Sequence, residues 1–175
     1  MNYHFEFVNC SHYDSIKEYR KELLDCGSKF DGCSNLQNYE NIEKWDLNNK
    51  LFEKADTLPP GYSIAYQYLY MCNDDVVGMV SFRPLALSHQ ALKQYGGHIG
   101  YNIRPRYRKQ GIGTKMLKEF LIICKNDYKI NKILITCLEN NEGSKRIIIK
   151  NGGVFEKKIP CPGEKELLER YWIEL

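Results

Sequence analysis

The chain has 175 residues, 43% of them hydrophobic and 27% charged, with a formal charge of +3. That is enough for one domain to bury its own core without disulfides or metal. Basicity this mild falls short of the clustered positive surface of a nucleic-acid binder, and a small anionic ligand accounts for it.

The seven cysteines (Cys10, Cys26, Cys33, Cys72, Cys124, Cys137 and Cys161) are scattered, and no CxxC pair occurs. They read as reduced, buried thiols in a reducing compartment, not as zinc ligands or a redox motif. The segment Met1 to Val8 lacks the basic-then-apolar pattern of a signal peptide. No run approaches the ~18 apolar residues of a membrane span. A cytoplasmic protein with no membrane partner is expected.

Tyr3 to Val8 alternates with period two, Tyr3, Phe5 and Phe7 sharing a face, and predicts a first strand. Ser11, with Asp14 three residues on, reads as the cap of a helix whose stripe is Ile16, Tyr19, Leu23 and Leu24, ending at Gly27. Residues 25–37 read as loop, and Asn38 to Ala55 as a second helix burying Ile42, Trp45 and Phe52. Pro59-Pro60-Gly61 ends the helical part. Tyr62 to Cys72 and Val76 to Phe82 form a predicted hairpin about Asn73-Asp74-Asp75. A connection from Leu85 to Tyr95 leads to a strand at Gly97 to Ile103. Ile112 to Lys125 is the clearest helix, with Ile112, Met116, Leu117, Phe120, Leu121 and Cys124 on one face. A buried strand at Lys132 to Leu138, a helix at Asn141 to Asn151, and strands at Val154 to Ile159 and Arg170 to Leu175 complete the order. The pattern predicts a single layer of mixed sheet with helices packed on it.

The informative segment is Ile99-Gly100-Tyr101-Asn102-Ile103-Arg104-Pro105-Arg106-Tyr107-Arg108-Lys109-Gln110-Gly111-Ile112-Gly113-Thr114. A strand ends, cations follow, and two glycines one residue apart open an amphipathic helix. Glycines allow positive φ and close backbone approach, and a helix N-terminus stabilises phosphate through free amides and its dipole. The P-loop pattern GxxxxGKS or GxxxxGKT is absent. The dinucleotide pattern GxGxxG fails because its third glycine falls on Met116.

Arg108-x-x-Gly111-x-Gly113, after a strand and before a helix, resembles the signature of the GNAT N-acetyltransferase superfamily. The similarity runs from about Leu58 to the C-terminus. Pro59-Pro60-Gly61-Tyr62, Gly96-Gly97-His98-Ile99-Gly100-Tyr101 and Arg170-Tyr171-Trp172-Ile173 look like a bacterial subgroup of predicted acetyltransferases. The resemblance implies one α/β (α+β) GNAT-like domain over residues 1–175. Its central mixed, mostly antiparallel twisted sheet would have about seven strands flanked by about four helices.

The resemblance also implies acetyl-CoA as co-substrate, with no metal. The strand at Gly97 to Ile103 would splay from that at Lys132 to Leu138, and pantetheine would lie there like an added strand, as in β-augmentation. Tyr101, Asn102 and Ile103 would line the pantetheine. Arg108, Lys109, Gln110, Gly111, Ile112, Gly113 and Thr114 would meet the pyrophosphate. Asn141 and Ser144 match positions that contact CoA in the family, although Asn141 also reads as a plain helix N-cap. One departure stands out: Ile148 occupies the position where many members carry the tyrosine that protonates the leaving thiolate. Another group, water, or reduced activity would follow from it.

The implied reaction is acyl transfer from a thioester to a primary amine of a small molecule or peptide. Such an amine is mostly protonated at neutral pH and needs a base or water chain. Alignment of the two substrates and a strand amide facing the oxyanion supply the remaining acceleration. His98, near where several members carry a glutamate, is the expected base, with a structural histidine as the alternative. Tyr107, Tyr171 and Glu139 are weaker choices, and His4, His12 and His89 have no motif around them. Cys137 sits in an apolar strand with nothing to activate it, so no acyl-enzyme is expected. A non-catalytic acyl-CoA-binding regulatory module is the rival reading, motivated by Ile148. RNA binding by Arg104, Arg106, Arg108 and Lys109 is a third. The acceptor, bounded in the family by residues 24–40 and the terminal strands, carries no recognisable code. A monomer and a homodimer both fit.

Overall fold

A computed structural model describes residues 2–175, and the chain divides into two compact units, Met1–Arg83 with Gly100–Ile112 and Pro84–Ile99 with Gly113–Leu175. The first unit contains β1 (Tyr3–Phe7), α1 (Tyr13–Asp25), α2 (Ile42–Lys50), β2 (Tyr66–Cys72), β3 (Asp75–Phe82) and nearly all of β4 (Ile99–Ile103). Its sheet has the order β1-β2-β3-β4, with β4 at one edge. The alternation read in β1 lays aromatic rings across to β2: Phe5 on Tyr70 at 4.7 Å and Phe7 on Tyr68 at 4.4 Å between centroids. A two-residue turn joins β2 to β3, with Asn73 at φ +54° and Cys72 opposite Asp75. Beneath β2 and β3 lies a core of Ile16, Tyr19, Leu23, Cys33, Leu36, Ile42, Trp45, Leu69, Met71, Val76 and Met79.

Both N-terminal helices depart from the expected bounds. The chain enters α1 through a 3-10 turn, Cys10–His12, capped by Asn9 and not by Ser11. The Asn9 side chain accepts from the Ser11 amide, and the His12 ring accepts from the Asn9 amide. Leu24, expected in the buried stripe, is exposed, because the stripe closes at Leu23. The second helix is only nine residues long. Asn41 caps it through the Lys44 amide, and Asn38 closes a separate 3-10 turn, Leu36–Asn38. Beyond Lys50 the helix unwinds, since the Phe52 carbonyl is taken by the Ala65 amide at 3.0 Å. The next strand consequently begins at Tyr66 and not at Tyr62.

The second unit holds α3 (Ile112–Asn126, entered from the first unit), β5 (Lys132–Leu138), α4 (Glu142–Lys150), β6 (Val154–Pro160) and β7 (Leu167–Glu174). The expected stripe of α3 is buried, as are Ile133, Leu134, Ile135, Ile148, Leu168, Tyr171 and Ile173. The sheet order is β5-β7-β6, antiparallel throughout. Thus the seven expected strands form two sheets and not one. Within the second unit, the His98 amide donates to the Leu134 carbonyl of β5. No helix among the described residues is long and apolar enough to cross a membrane, and no group of three potential metal ligands occurs among them.

Candidate functional site

The loop between β4 and α3 has the backbone an anion cradle requires. A 3-10 turn, Pro105–Tyr107, follows the buried Arg104; Lys109 and Gly111 then adopt left-handed φ of +61° and +80°, and α3 begins at Ile112. Gly111 is exposed, and a Cβ built on it would meet nothing within 4 Å. The first amides of α3 have no intrahelical acceptor, and the dipole of this 15-residue helix adds positive potential at the same end. Gln110 donates its side-chain amide to the Arg106 carbonyl at 2.9 Å, which ties the loop to its own approach. Ile112 and Gly113 are buried, and the Thr114 carbonyl accepts from Asn151. The exposed residues of this segment are Arg108, Lys109, Gln110 and Gly111.

The cations around the loop divide sharply. Arg104 is fully buried and paired with Glu22, Glu18 and Asp75. Arg106 pairs with Asp75 at 2.6 Å. Arg108, expected to reach an anion, turns back instead: it donates to the Ile103 carbonyl at 2.8 Å, the Ser28 hydroxyl at 2.8 Å and the Asn102 side chain at 3.3 Å. Among the described residues of this run, Lys109 alone is a cation without an ion pair or hydrogen bond.

Asn102 is not a wall residue by its side chain. It is buried, donates to the Lys29 carbonyl at 3.0 Å, and accepts from Tyr19 and Arg108. Tyr101, half-buried, lies against Gly32, where any Cβ would collide with the Tyr101 backbone. What β4 presents over Tyr101, Asn102 and Ile103 is the main chain of a sheet edge.

In the second unit, Asn141 is the N-cap of α4, its side chain accepting from the Ser144 amide at 3.0 Å. The Ser144 hydroxyl hydrogen-bonds the Cys137 thiol. Burial, with a smaller contribution from Glu169, pushes that thiol up to about 11, so it is a protonated thiol at neutral pH and no nucleophile. Glu169, opposite Cys137 on β7, is buried. Burial pushes its carboxyl up, but hydrogen bonds from Tyr171, Lys145 and Lys158 outweigh this and hold it below its ordinary value. Tyr171 donates to Glu169 at 2.5 Å, and burial and that carboxylate raise the phenol. Glu169 was not singled out from the sequence, although a charged residue inside Leu167-Leu168-Glu169-Arg170-Tyr171, two positions from a tyrosine on the same face, is a readable signal. Glu139 is spent on Lys158 and the Leu167 amide. Ile148 is fully buried and belongs to the core.

The expectation that His98 removes the amine proton does not fit its surroundings. The ring is 2% exposed, and its Nδ1 accepts from the Leu134 amide at 3.0 Å while its own amide donates to the Leu134 carbonyl at 2.9 Å. Nδ1 must then hold the lone pair and Nε2 the proton, so a neutral ring has no acceptor nitrogen to offer an amine. His98 is a brace between the start of β4 and β5. Tyr107, the other candidate from this stretch, is spent on Asp75 at 2.5 Å.

A profile of the acetyltransferase (GNAT) domain matches residues 33–154, well over half of the chain. No curated protein sequence matches. Among solved structures, the ribosomal L7/L12 alpha-N-protein acetyltransferase RimL in complex with coenzyme A is similar, with 18% identity, a TM-score of 0.73 and coverage of 100% of this chain and 95% of that one. A ribosomal-protein-S5-alanine acetyltransferase from Vibrio fischeri has 15% identity and a TM-score of 0.72, covering 99% and 93%. A Salmonella typhimurium acetyltransferase that modifies the N-terminal serine of ribosomal protein L7/L12 has 19% identity and a TM-score of 0.69, covering 100% and 96%.

Proposed function

The chain belongs to the GNAT acetyltransferase family, and from that premise we propose that it transfers an acetyl group from acetyl-CoA to a primary amine by direct attack within a ternary complex. The observation that carries this reading is the loop at 108–114: positive φ at Lys109 and Gly111, with open space about Gly111, at the start of a long helix. The CoA pyrophosphate sits on the amides of Gln110 to Thr114, with Lys109 as the available cation. Pantetheine runs along the main-chain edge of β4 at Tyr101 to Ile103.

In the chemical step the amine nitrogen attacks the thioester carbonyl, the carbon–sulfur bond breaks, and the amine proton leaves to a base. A water chain is the route for that proton, since His98, Tyr107, Glu139 and Glu169 are all engaged with other partners. The departing thiolate needs a proton that Ile148 cannot supply. Ser144 lies one turn earlier on the same helix face and carries a hydroxyl. Cys137 stays a thiol, and no acyl-enzyme forms. A cytoplasmic site of action is supported by seven free cysteines.

The fully buried Ile148 favours one alternative, a module that binds acyl-CoA without turning it over. A turnover screen separates the two. Purified protein with acetyl-CoA is offered polyamines, amino acids, aminoglycosides and peptides with free N-termini. The peptides come first, because the similar structures include ribosomal-protein N-terminal acetyltransferases. Release of free CoA thiol that depends on one acceptor class supports the enzyme. CoA binding with no release from any class supports the module.

A further inference from the structure

Asp75 ends the two-residue turn between β2 and β3, and four side-chain donors converge on it. Its Oδ1 accepts from Ser15 of α1 at 2.8 Å and from Arg104 at 2.5 Å. Its Oδ2 accepts from Arg106 at 2.6 Å and from Tyr107 at 2.5 Å. Three of these donors lie in the four residues immediately before the signature loop. Burial pushes the Asp75 carboxyl up, but Tyr107, Ser15 and the two arginines outweigh it, so the group stays ionised.

The cluster reaches the loop itself through Arg106. Asp75 holds the Arg106 guanidinium, and the Arg106 carbonyl accepts from the Gln110 side chain. On the other side, Arg104 is fixed by Glu22 at 2.8 Å, by Glu18 at 2.9 Å, and through its own amide by the Val77 carbonyl at 3.0 Å. Two residues past Tyr107, Lys109 adopts φ +61°, a conformation that a non-glycine residue keeps only when its surroundings over-determine it. We infer that Asp75 is a positioning residue for CoA, setting the conformation of the pyrophosphate loop through Arg106 and Tyr107 without touching the ligand. This rests on the reading that the loop at 108–114 binds CoA.

Charge and geometry make opposite predictions here. The cluster contains three carboxylates (Glu18, Glu22, Asp75) and two guanidinium groups, a net charge of −1. By charge alone, neutralising Asp75 removes a repulsive group near a site for a polyanion and tightens binding. By geometry, it releases Arg106 and Tyr107, lets the approach to Lys109 relax, and weakens binding.

The test is calorimetric titration of CoA into wild type and the variants Asp75→Asn, Asp75→Ala, Tyr107→Phe and Asp75→Glu, with melting temperatures recorded, and steady-state kinetics once an acceptor is known. The expected result is an approximately tenfold rise in Kd for Asp75→Ala, a smaller rise for Asp75→Asn and Tyr107→Phe, and partial recovery in Asp75→Glu. KM for acetyl-CoA should rise with Kd while kcat at saturation stays within about twofold, the signature of a lost binding geometry and intact chemistry. If Asp75→Ala does not fold, Asp75→Asn and Tyr107→Phe, which keep the shape, decide the matter by the same sign. Unchanged or tighter CoA binding in folded variants overturns the role of Asp75 and leaves the function intact. Failure of wild type to bind CoA overturns both.

Discussion

Replacing Gly111 by alanine probes the cradle with little else disturbed. Its φ is +80° and no atom lies within 4 Å of the added Cβ, so the penalty is conformational and not a clash. Holding an L-residue in a left-handed conformation costs about 1–2 kcal/mol. For a chain of this size each kcal/mol is worth roughly 2–4 °C, so Tm should fall by about 2–8 °C. The loop escapes the strain by rotating the peptide at 110–111, and that swings an amide away from the phosphate. One hydrogen bond to a charged group is worth about 1.5–3 kcal/mol, which corresponds to a 10- to 150-fold rise in Kd for CoA. Gly111→Val, β-branched, should do more. Calorimetry with CoA, paired with a thermal melt, reads both quantities. A variant that keeps wild-type affinity while melting a few degrees lower would refute the placement of the pyrophosphate on these amides.

Lys109→Ala should weaken CoA binding about tenfold and flatten its dependence on salt, measured by titration between low and high ionic strength. Lys109 to glycine, which keeps the φ, should lose the same charge term with less strain. Glu169→Gln should strand Lys145 and Lys158 and cost about 1–3 kcal/mol, read as a Tm lower by roughly 2–12 °C; an unchanged Tm would show that these ion pairs contribute nothing. His98→Phe removes the ring nitrogen and strands the Leu134 amide, at a cost of about 1–3 kcal/mol, so Tm should fall by roughly 2–12 °C; an unchanged Tm would show that the brace contributes nothing. Asp75 and Glu169 both have folded values below their ordinary ones. Their stabilising contribution is therefore complete above about pH 5 and lost as pH falls through the carboxylate range. Acid melts should show Asp75→Asn less sensitive than wild type below about pH 4.

Periodic segments were legible in the sequence and chemistry that depends on the fold was not. The strand Lys132–Leu138 and the helix beginning at Ile112 emerge with the expected bounds or within one residue, because apolar spacing alone fixes them. Helix ends went astray where a side chain chose among neighbouring caps: Asn9 over Ser11, and Asn41 over Asn38. The glycine loop could be recognised because positive φ demands particular residues. Which way its arginines point could not, since Arg104 and Arg106 find their carboxylates some 30 to 90 positions away in the chain. His98 illustrates the same limit. A histidine at a strand start reads equally as base or brace, and only the Leu134 amide at its Nδ1 decides between them. Glu169 gains its interest from Lys145 and Lys158, which α4 and β6 bring to it.

The most direct measurement is an amide-resolved NMR titration of the labelled protein with CoA. Resonances of Gln110, Gly111, Ile112, Gly113 and Thr114 should shift more than any others at low ligand ratios, and the shifts should saturate with the calorimetric Kd. Binding of CoA that moved other amides and left this set in place would contradict the account.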